Sequence, residues 1–472
     1  MTIGRPGTLH RFDRKMAFVL WLSCVESVMK NQIVHHEIPW LHRSAVRPQE
    51  EKRDLAQGEP HRKLDINTLI GWILQAGVLL SALTMLVGIM LLPTRPGGLS
   101  PERMLAFPQT LAEIGVGLLA LHPQAIIALG LLLLIATPVV RVAISIVSFA
   151  LERDRKYVVI TCVVLTILLL SIILGAINST HEPVVDASRL HFSLTIALLI
   201  LLGAVLAGIL GSLVGLGGGI LLIPMLTLLF HLPISFAIGA SIISVIATSS
   251  GAAAAYVRDH MTNLRVGMFL ELATTLGAVS GAFIAGLLAP AFIGVIFGII
   301  LLISAAPLVF RIGEELPEGV KNDRLADALD LAGSYPDHKL GREVSYQVTR
   351  TPWGLAMMYV AGLISGLLGI GSGTFKVVAM DSLMRLPLKV STSTSNLMIG
   401  VTAAASAGIY FSRGDIPPLI AAPVALGVLA GAMIGARLLM HMSNRLLRVI
   451  FLPIIVVAAL EMILHSLGIG PF

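Results

Sequence analysis

The chain of 472 residues is 56% hydrophobic and only 13% charged, with a formal net charge of +6. So little polar surface excludes a fold soluble in water, and a mean hydropathy of +0.89 places the chain among polytopic membrane proteins. Its two cysteines, Cys24 and Cys162, exclude a disulfide framework, and basic residues gathered mainly in loops and the N-terminal tail carry topology information instead of forming a nucleic-acid-binding face.

Residues 1–64 form a polar tail with eleven Lys and Arg, expected to be cytoplasmic and disordered. A signal peptide at Arg14-Lys15 followed by Met16 to Val25 is disfavoured, because Glu26 ends the short apolar run and no small-x-small cleavage site follows. Translation from an internal start such as Met29 is an alternative. Three apolar runs follow, Asn67 to Leu92, Ala125 to Phe149 and Tyr157 to Ile177, each long enough to span. They define an accessory three-span domain over 65–180. Arg141, beyond Pro138 in the second run, is expected near the cytoplasmic boundary with its guanidinium snorkelling.

The rest of the chain says one thing twice. The run Gly208 to Gly219 recurs 154 residues later as Gly362 to Gly373, and at the same offset Pro233 falls on Pro387, Ser241 on Ser395 and Tyr256 on Tyr410. After a four-residue slip, Gly277 and Gly281 fall on Gly427 and Gly431. Residues 191–310 are thus a first repeat, 311–352 a cytoplasmic linker in which Val320 to Leu331 could form one amphipathic helix, and 353–466 a second repeat. In each repeat glycine breaks an apolar helix, leaving a short arm such as Ile220 to Phe230. Eleven residues make about 16 Å of helix, half of a hydrocarbon core of about 30 Å, so the arms read as a hairpin; spanning arms are the alternative. Three full helices follow in each: Ile234 to Val257, Val266 to Leu288 and Ala291 to Phe310, then Leu388 to Phe411, Ile416 to Met440 and Leu446 to His465.

Lipid demands that a backbone satisfy its own hydrogen bonds, and nothing here alternates like a barrel strand. The predicted fold is therefore an all-α polytopic membrane protein with two repeats. Placing Arg153, Arg155, Lys156, Arg258, Arg265, Arg385, Lys389 and the linker on the cytoplasmic side obeys the positive-inside rule. It gives the repeats opposite orientation, with the N-terminus inside and the C-terminus outside a plasma membrane. Inverted repeats broken at the same place suit a secondary transporter.

Gly215-Leu216-Gly217-Gly218-Gly219-Ile220-Leu221-Leu222-Ile223-Pro224, its echo Gly369-Ile370-Gly371-Ser372-Gly373-Thr374 and the polar run Ser391 to Asn396 resemble the sulfite exporter TauE/SafE family of membrane permeases over about residues 193 to 465. The resemblance implies export or uptake of sulfur-containing anions such as sulfite, thiosulfate or organosulfonates, through eight family helices of which two are hairpin-like. Residues 65 to 180 are similar to a small domain of unknown function that accompanies such permeases. Pro224 aligns with Val378 and Leu222 with Lys376, which predicts an asymmetric site.

The candidate substrate-binding residues are Gly217, Gly218, Gly219, Gly371, Ser372, Gly373, Lys376, Ser241, Ser395 and Asn396. Glycine at the turns permits left-handed backbone and close helix approach, and the short helices that begin there present free N–H groups toward an anion; tight packing alone is the alternative. Lys376 lies one turn past Gly373, where a cation is costly unless paired. Asp381, at i+5, is a poor partner and has Arg385 at i+4, so Lys376 is the counter-charge for an anionic substrate, or else pairs with Glu271 or snorkels. Ser241, Ser391 to Ser395 and Asn396 offer donors that suit sulfonate oxygens and equally suit helix–helix hydrogen bonds. His231 and His260 read as interfacial, and a proton, if it couples, could use Glu271 or His260.

No HExxH, Walker A sequence or Cys/His cluster with metal spacing occurs, so neither an enzyme, a cofactor nor a metal is expected. The partners are a small anion, the lipid bilayer and a possible coupling proton, without nucleic acid; a homo-oligomer is compatible with the sequence. The competing functions are a permease for another solute or a cation, where a buried carboxylate would stand in place of Lys376, and a membrane accessory or sensor subunit that moves nothing.

Overall fold

The computed structural model describes residues 66–94, 108, 111–177, 194–214, 218–258, 261–309, 319–337, 342–439 and 444–469. The tail 1–64, the segment 178–190, Gly215, Gly217 and His260 lie outside them.

The three accessory runs are helices α1 (Ile66–Leu91), α3 (Pro123–Leu151) and α4 (Arg155–Ile177), with a short α2 (Leu111–Leu119) between the first two. The first repeat comprises α5 (Leu194–Val214), α6 (Gly219–Pro224), α7 (Ile234–Arg258), α8 (Leu264–Leu287) and α9 (Pro290–Val309). The linker holds α10 (Arg324–Ala328) and an antiparallel hairpin of β1 (Gly333–Asp337) and β2 (Arg342–Tyr346), in register from Gly333 against Tyr346 to Asp337 against Arg342. The second repeat comprises α11 (Thr351–Leu368), α12 (Gly373–Val378), α13 (Leu388–Ser412), α14 (Pro418–Leu439) and α15 (Asn444–Ser466). Among the described residues, eight helices are long and apolar enough to cross a membrane. The 25-residue α13 is not one of them, because Ser391 to Asn396 lower its hydropathy. The membrane region is all-α as expected; the linker adds a hairpin where a single helix was predicted.

The repeat register holds without a slip. At a constant offset of 154 residues, α5 and α11 end on Val214 and Leu368, α6 and α12 start on Gly219 and Gly373, and α7 and α13 run Ile234–Arg258 and Leu388–Ser412. Each short helix continues as a five-residue π-helical turn, Met225–Leu229 and Ala379–Leu383, again at that offset.

Close packing corrects the assignment of the glycine seam. A Cβ on Gly277 would lie 2.2 Å from the Tyr359 carbonyl, and one on Gly431 2.1 Å from that of Val205; likewise Gly281 meets Leu363 and Gly435 meets Ile209. Tyr359 and Leu363 are themselves 154 residues from Val205 and Ile209, so Gly277 and Gly281 correspond to Gly431 and Gly435, not Gly427 and Gly431. The slip was one helical turn of a repeating small-residue pattern. The broken arm of each unit thus crosses the fourth helix of the other, α5 on α14 and α11 on α8, with backbones in direct contact as small-residue seams allow. Gly281→Leu should separate α8 from α11, since overpacking against backbone exceeds the roughly 1–3 kcal/mol of ordinary core cases. The expected result is loss of most monodisperse protein on size exclusion; Gly115→Ala, where nothing lies within 4 Å of the new Cβ, should be silent.

The linker covers one end of the bundle. Tyr335, Tyr346, Leu331 and Val348 pack with Tyr157 of α4, Val266 and Phe269 of α8, and Met384. Tyr157 Oη donates to the Leu329 carbonyl at 2.7 Å, Lys156 Nζ to that of Ala328 at 2.8 Å, and Arg265 pairs with Asp330 at 2.6 Å and Asp154 at 3.3 Å. Asp323 accepts from the amides of Ala326 at 2.7 Å and Thr351 at 2.6 Å. Burial pushes its carboxyl up, but those bonds outweigh it and hold the group below the usual carboxylate range. Lys389 at the start of α13 lies over the Tyr335 ring at 6.0 Å, so α13 begins at the linker end. Helix α7 begins at the other end: a Cβ on Gly239 would meet the carbonyl of Asp415, beyond the C-terminus of α13.

Candidate functional site

The second glycine turn packs between α7 and α13, whereas in the first Gly219 packs on α7 and Gly218 on Val428 of α14. Gly218, at φ +70, and Gly371, at φ +72, occupy the left-handed region where a side chain is strained, as does Ser372 at φ +46, the N-cap of α12. A Cβ on Gly219 would lie 2.6 Å from Ser241 Oγ and 3.4 Å from the Gly369 carbonyl, while one on Gly371 would meet Val245 at 2.8 Å and Ile399 at 3.0 Å. The turns of the two units therefore approach each other. Ser241 Oγ donates to the Gly369 carbonyl at 2.8 Å and Ser395 Oγ to that of Gly373 at 3.3 Å. The hydroxyl hydrogens of these two candidates are engaged by the turns themselves. Ser372 Oγ is buried without a partner among the described residues, and Asn396 is half-buried beside Ser395.

One turn beyond Gly373, Lys376 is fully buried. It does not snorkel. Its Nζ donates to Thr402 Oγ1 of α13 at 2.6 Å, and that hydroxyl lies 2.9 Å from Glu271 Oε1 of α8 and 2.9 Å from the Met398 carbonyl. Glu271 is fully buried as well; Thr274 Oγ1 approaches Oε1 at 3.4 Å, and Oε2 has no partner among the described residues. The predicted alternative of pairing with Glu271 is thus realised through a hydroxyl. Lys376 and Thr402 come from the second unit and Glu271 from the first, so the cluster bridges the units.

The repeat-equivalent positions are Leu222, Thr248 and Ala425. Leu222 is fully buried and Ala425 is 1% exposed, and Thr248 Oγ1 bonds the Ser244 carbonyl as Thr402 bonds that of Met398. The hydroxyl is present in both repeat-related clusters; the two charges are present in only one of them. The asymmetry expected at Lys376 therefore extends to Glu271.

Arg141 is a correction. It sits ten residues from the end of α3, about 15 Å along the helix, too deep to snorkel, and it is 2% exposed. Its Nη1 donates to the Leu397 carbonyl of α13. Helix α4 also grips α13: Ser171 Oγ donates to the Ala405 carbonyl, and a Cβ on Gly175 would meet Gly408 at 2.7 Å. A lone arginine inside a 29-residue apolar helix was the signal that could have found it. Thr402 was legible only as the 154-residue match of Thr248.

Ionisable side chains buried where two copies of a glycine-broken unit meet define a multi-pass membrane protein of the transporter class. The chain belongs to the sulfite exporter TauE/SafE family, whose model matches residues 199–462; residues 70–173 match a second family, described as a protein of unknown function (DUF1634). The probable membrane transporter protein YunE of Bacillus subtilis (strain 168) is 26% identical over 281 residues, 58% of this chain and 99% of that protein. YdhB of the same organism, also a probable membrane transporter protein, is 25% identical over 241 residues, 51% of this chain and 89% of its own. The probable membrane transporter protein MJ0441 of Methanocaldococcus jannaschii is 25% identical over 290 residues, 58% of this chain and 97% of its own. No solved structure matches. The protein is a membrane transporter.

Proposed function

We propose that the chain is a secondary permease that moves a small sulfur-containing anion, such as sulfite, thiosulfate or an organosulfonate, across the cell membrane by alternating access of two inverted repeats. The observation that carries this reading is Lys376, a buried cation at the break in the second unit, held through Thr402 to Glu271 of the first. Such a cation needs an anion or a paired carboxylate, and a link that crosses the units can be broken by their relative motion. Gly217, Gly218, Gly219, Gly371, Ser372, Gly373 and Asn396 would border the substrate, with the unpartnered Ser372 hydroxyl available to it; Ser241 and Ser395 support the turns. The opposite starting ends of α7 and α13 support inversion of the repeats. The gathering of Lys156, Arg265, Lys389 and the linker at one end supports a cytoplasmic face there, with the N-terminus inside and the C-terminus outside.

Glu271 favours a second reading, a permease for a cation, since a buried carboxylate is what such a site requires. Two buried cations, Arg141 and Lys376, against one carboxylate favour the anion. The test is uptake of radiolabelled sulfite, thiosulfate and a short sulfonate into proteoliposomes, with and without a pH gradient. Saturable uptake that competing sulfur oxyanions suppress is expected; no flux of any of them through folded protein would reject the sulfur-anion reading, and flux of no solute at all would leave an accessory or sensor subunit.

A further inference from the structure

We propose that Arg141 of the three-helix unit preceding the repeats is a substrate-binding residue, the second cation of the anion site, and that it selects oxyanions by presenting a two-donor edge. This rests on the anion-permease reading above. A guanidinium carries five N–H donors in a fixed planar fork. In Arg141 only Nη1 is engaged, by the Leu397 carbonyl; Nε and Nη2 are buried and without a partner among the described residues. Those two nitrogens form one edge of the guanidinium, the edge that binds two oxygens of a carboxylate or phosphate side by side. Three N–H groups are thus left unsatisfied in an apolar interior.

Arg141 lies beside the charged cluster. Leu397 adjoins Met398, so Arg141 and the Thr402 hydroxyl bond adjacent carbonyls of α13. Among the described residues, Glu271 and Lys376 are the charged groups within electrostatic reach of Arg141. With all three ionised, Arg141 and Lys376 leave one positive charge in excess over Glu271, and an anion would neutralise it. An oxyanion with two oxygens on one face satisfies the free edge, whereas a halide has a single centre and does not. The three-helix unit, clamped to α13 by Arg141 and Ser171, would then be a working part of the permease.

The experiment is a thermal-shift titration of the purified full chain in detergent at constant ionic strength, with sulfite, thiosulfate, methanesulfonate, phosphate, nitrate and chloride as the probes. Wild type, Arg141→Gln, Arg141→Lys and Ser171→Ala are compared. We expect oxyanions to stabilise the wild type more than chloride does. Loss of one charged hydrogen-bonding group should weaken oxyanion binding at least about tenfold in Arg141→Gln. Arg141→Lys, which keeps the charge and loses the fork, should bind more weakly and lose preference over chloride; Ser171→Ala, which removes a clamp but no charge, should bind as wild type. Wild-type oxyanion affinity in Arg141→Gln would overturn the proposal, as would an equal loss in Ser171→Ala. If Arg141→Gln does not fold, full affinity and selectivity in Arg141→Lys would overturn it. Arg141-dependent binding of phosphate or nitrate but of no sulfur anion would uphold the site and reject the sulfur substrate, and no oxyanion binding by wild type would overturn both.

Discussion

A protein carrying Lys376→Leu together with Glu271→Ala is expected to fold as well as the wild type and to transport no anion. The prediction comes from the chain itself, because Leu222 and Ala425 already occupy the repeat-equivalent positions, one in each unit, and are packed to 1% exposure or less. Replacing a buried charge pair by apolar residues of fitting volume is neutral or stabilising in well-studied cases. Removing one partner is different. Lys376→Ala alone abandons Glu271 in the interior, which costs about 3–5 kcal/mol when a buried pair is broken, so this single variant should lose uptake and also melt well below the wild type. Lys376→Arg should restore folding but only part of the uptake, since a planar guanidinium cannot reproduce a point donor to Thr402. Uptake by proteoliposomes and melting in detergent, measured on all three, separate the roles. Uptake by the double variant at the wild-type rate would remove Lys376 from the transport site.

Glu271→Gln is expected to uncouple transport from the pH gradient while preserving exchange of anion across the membrane. Glu271 Oε1 lies 2.9 Å from Thr402 Oγ1 and 3.4 Å from Thr274 Oγ1, and a glutamine carbonyl can take the same place as an acceptor; what it cannot do is take up and release a proton. If Glu271 is the coupling group, concentrative uptake driven by a pH gradient should fall to the level seen without one, and counterflow of preloaded anion should persist. Gradient-driven uptake as in the wild type would assign coupling elsewhere. Loss of both activities would make the carboxylate a part of anion binding rather than of coupling.

The sequence alone determined the membrane class, the spans to within a few residues and the doubling of the unit, because a lipid solvent admits few solutions and an apolar run must match a fixed thickness. The offset of 154 residues also placed both helix breaks, since clustered glycines that adopt positive φ at little cost end a helix readily. Periodicity could not fix the glycine seam: small residues repeat every four positions along α14, at Gly427, Gly431 and Gly435, so a one-turn shift looks equally good until backbones are seen to touch. The linker hairpin escaped for a related reason, as its strands are held by Tyr335 and Tyr346 packing on helices far away in the chain.

The site divides in the same way. Lys376 was legible as a charge in the wrong solvent. Its connection to Glu271 was one of several options until α8, α12 and α13 were brought together, for a bond between residues more than a hundred positions apart leaves no local pattern. Arg141 shows the limit most clearly: the sequence records a cation in an apolar helix, and only the packing of α3 against α13 decides whether it reaches water or, as here, is buried against the Leu397 carbonyl.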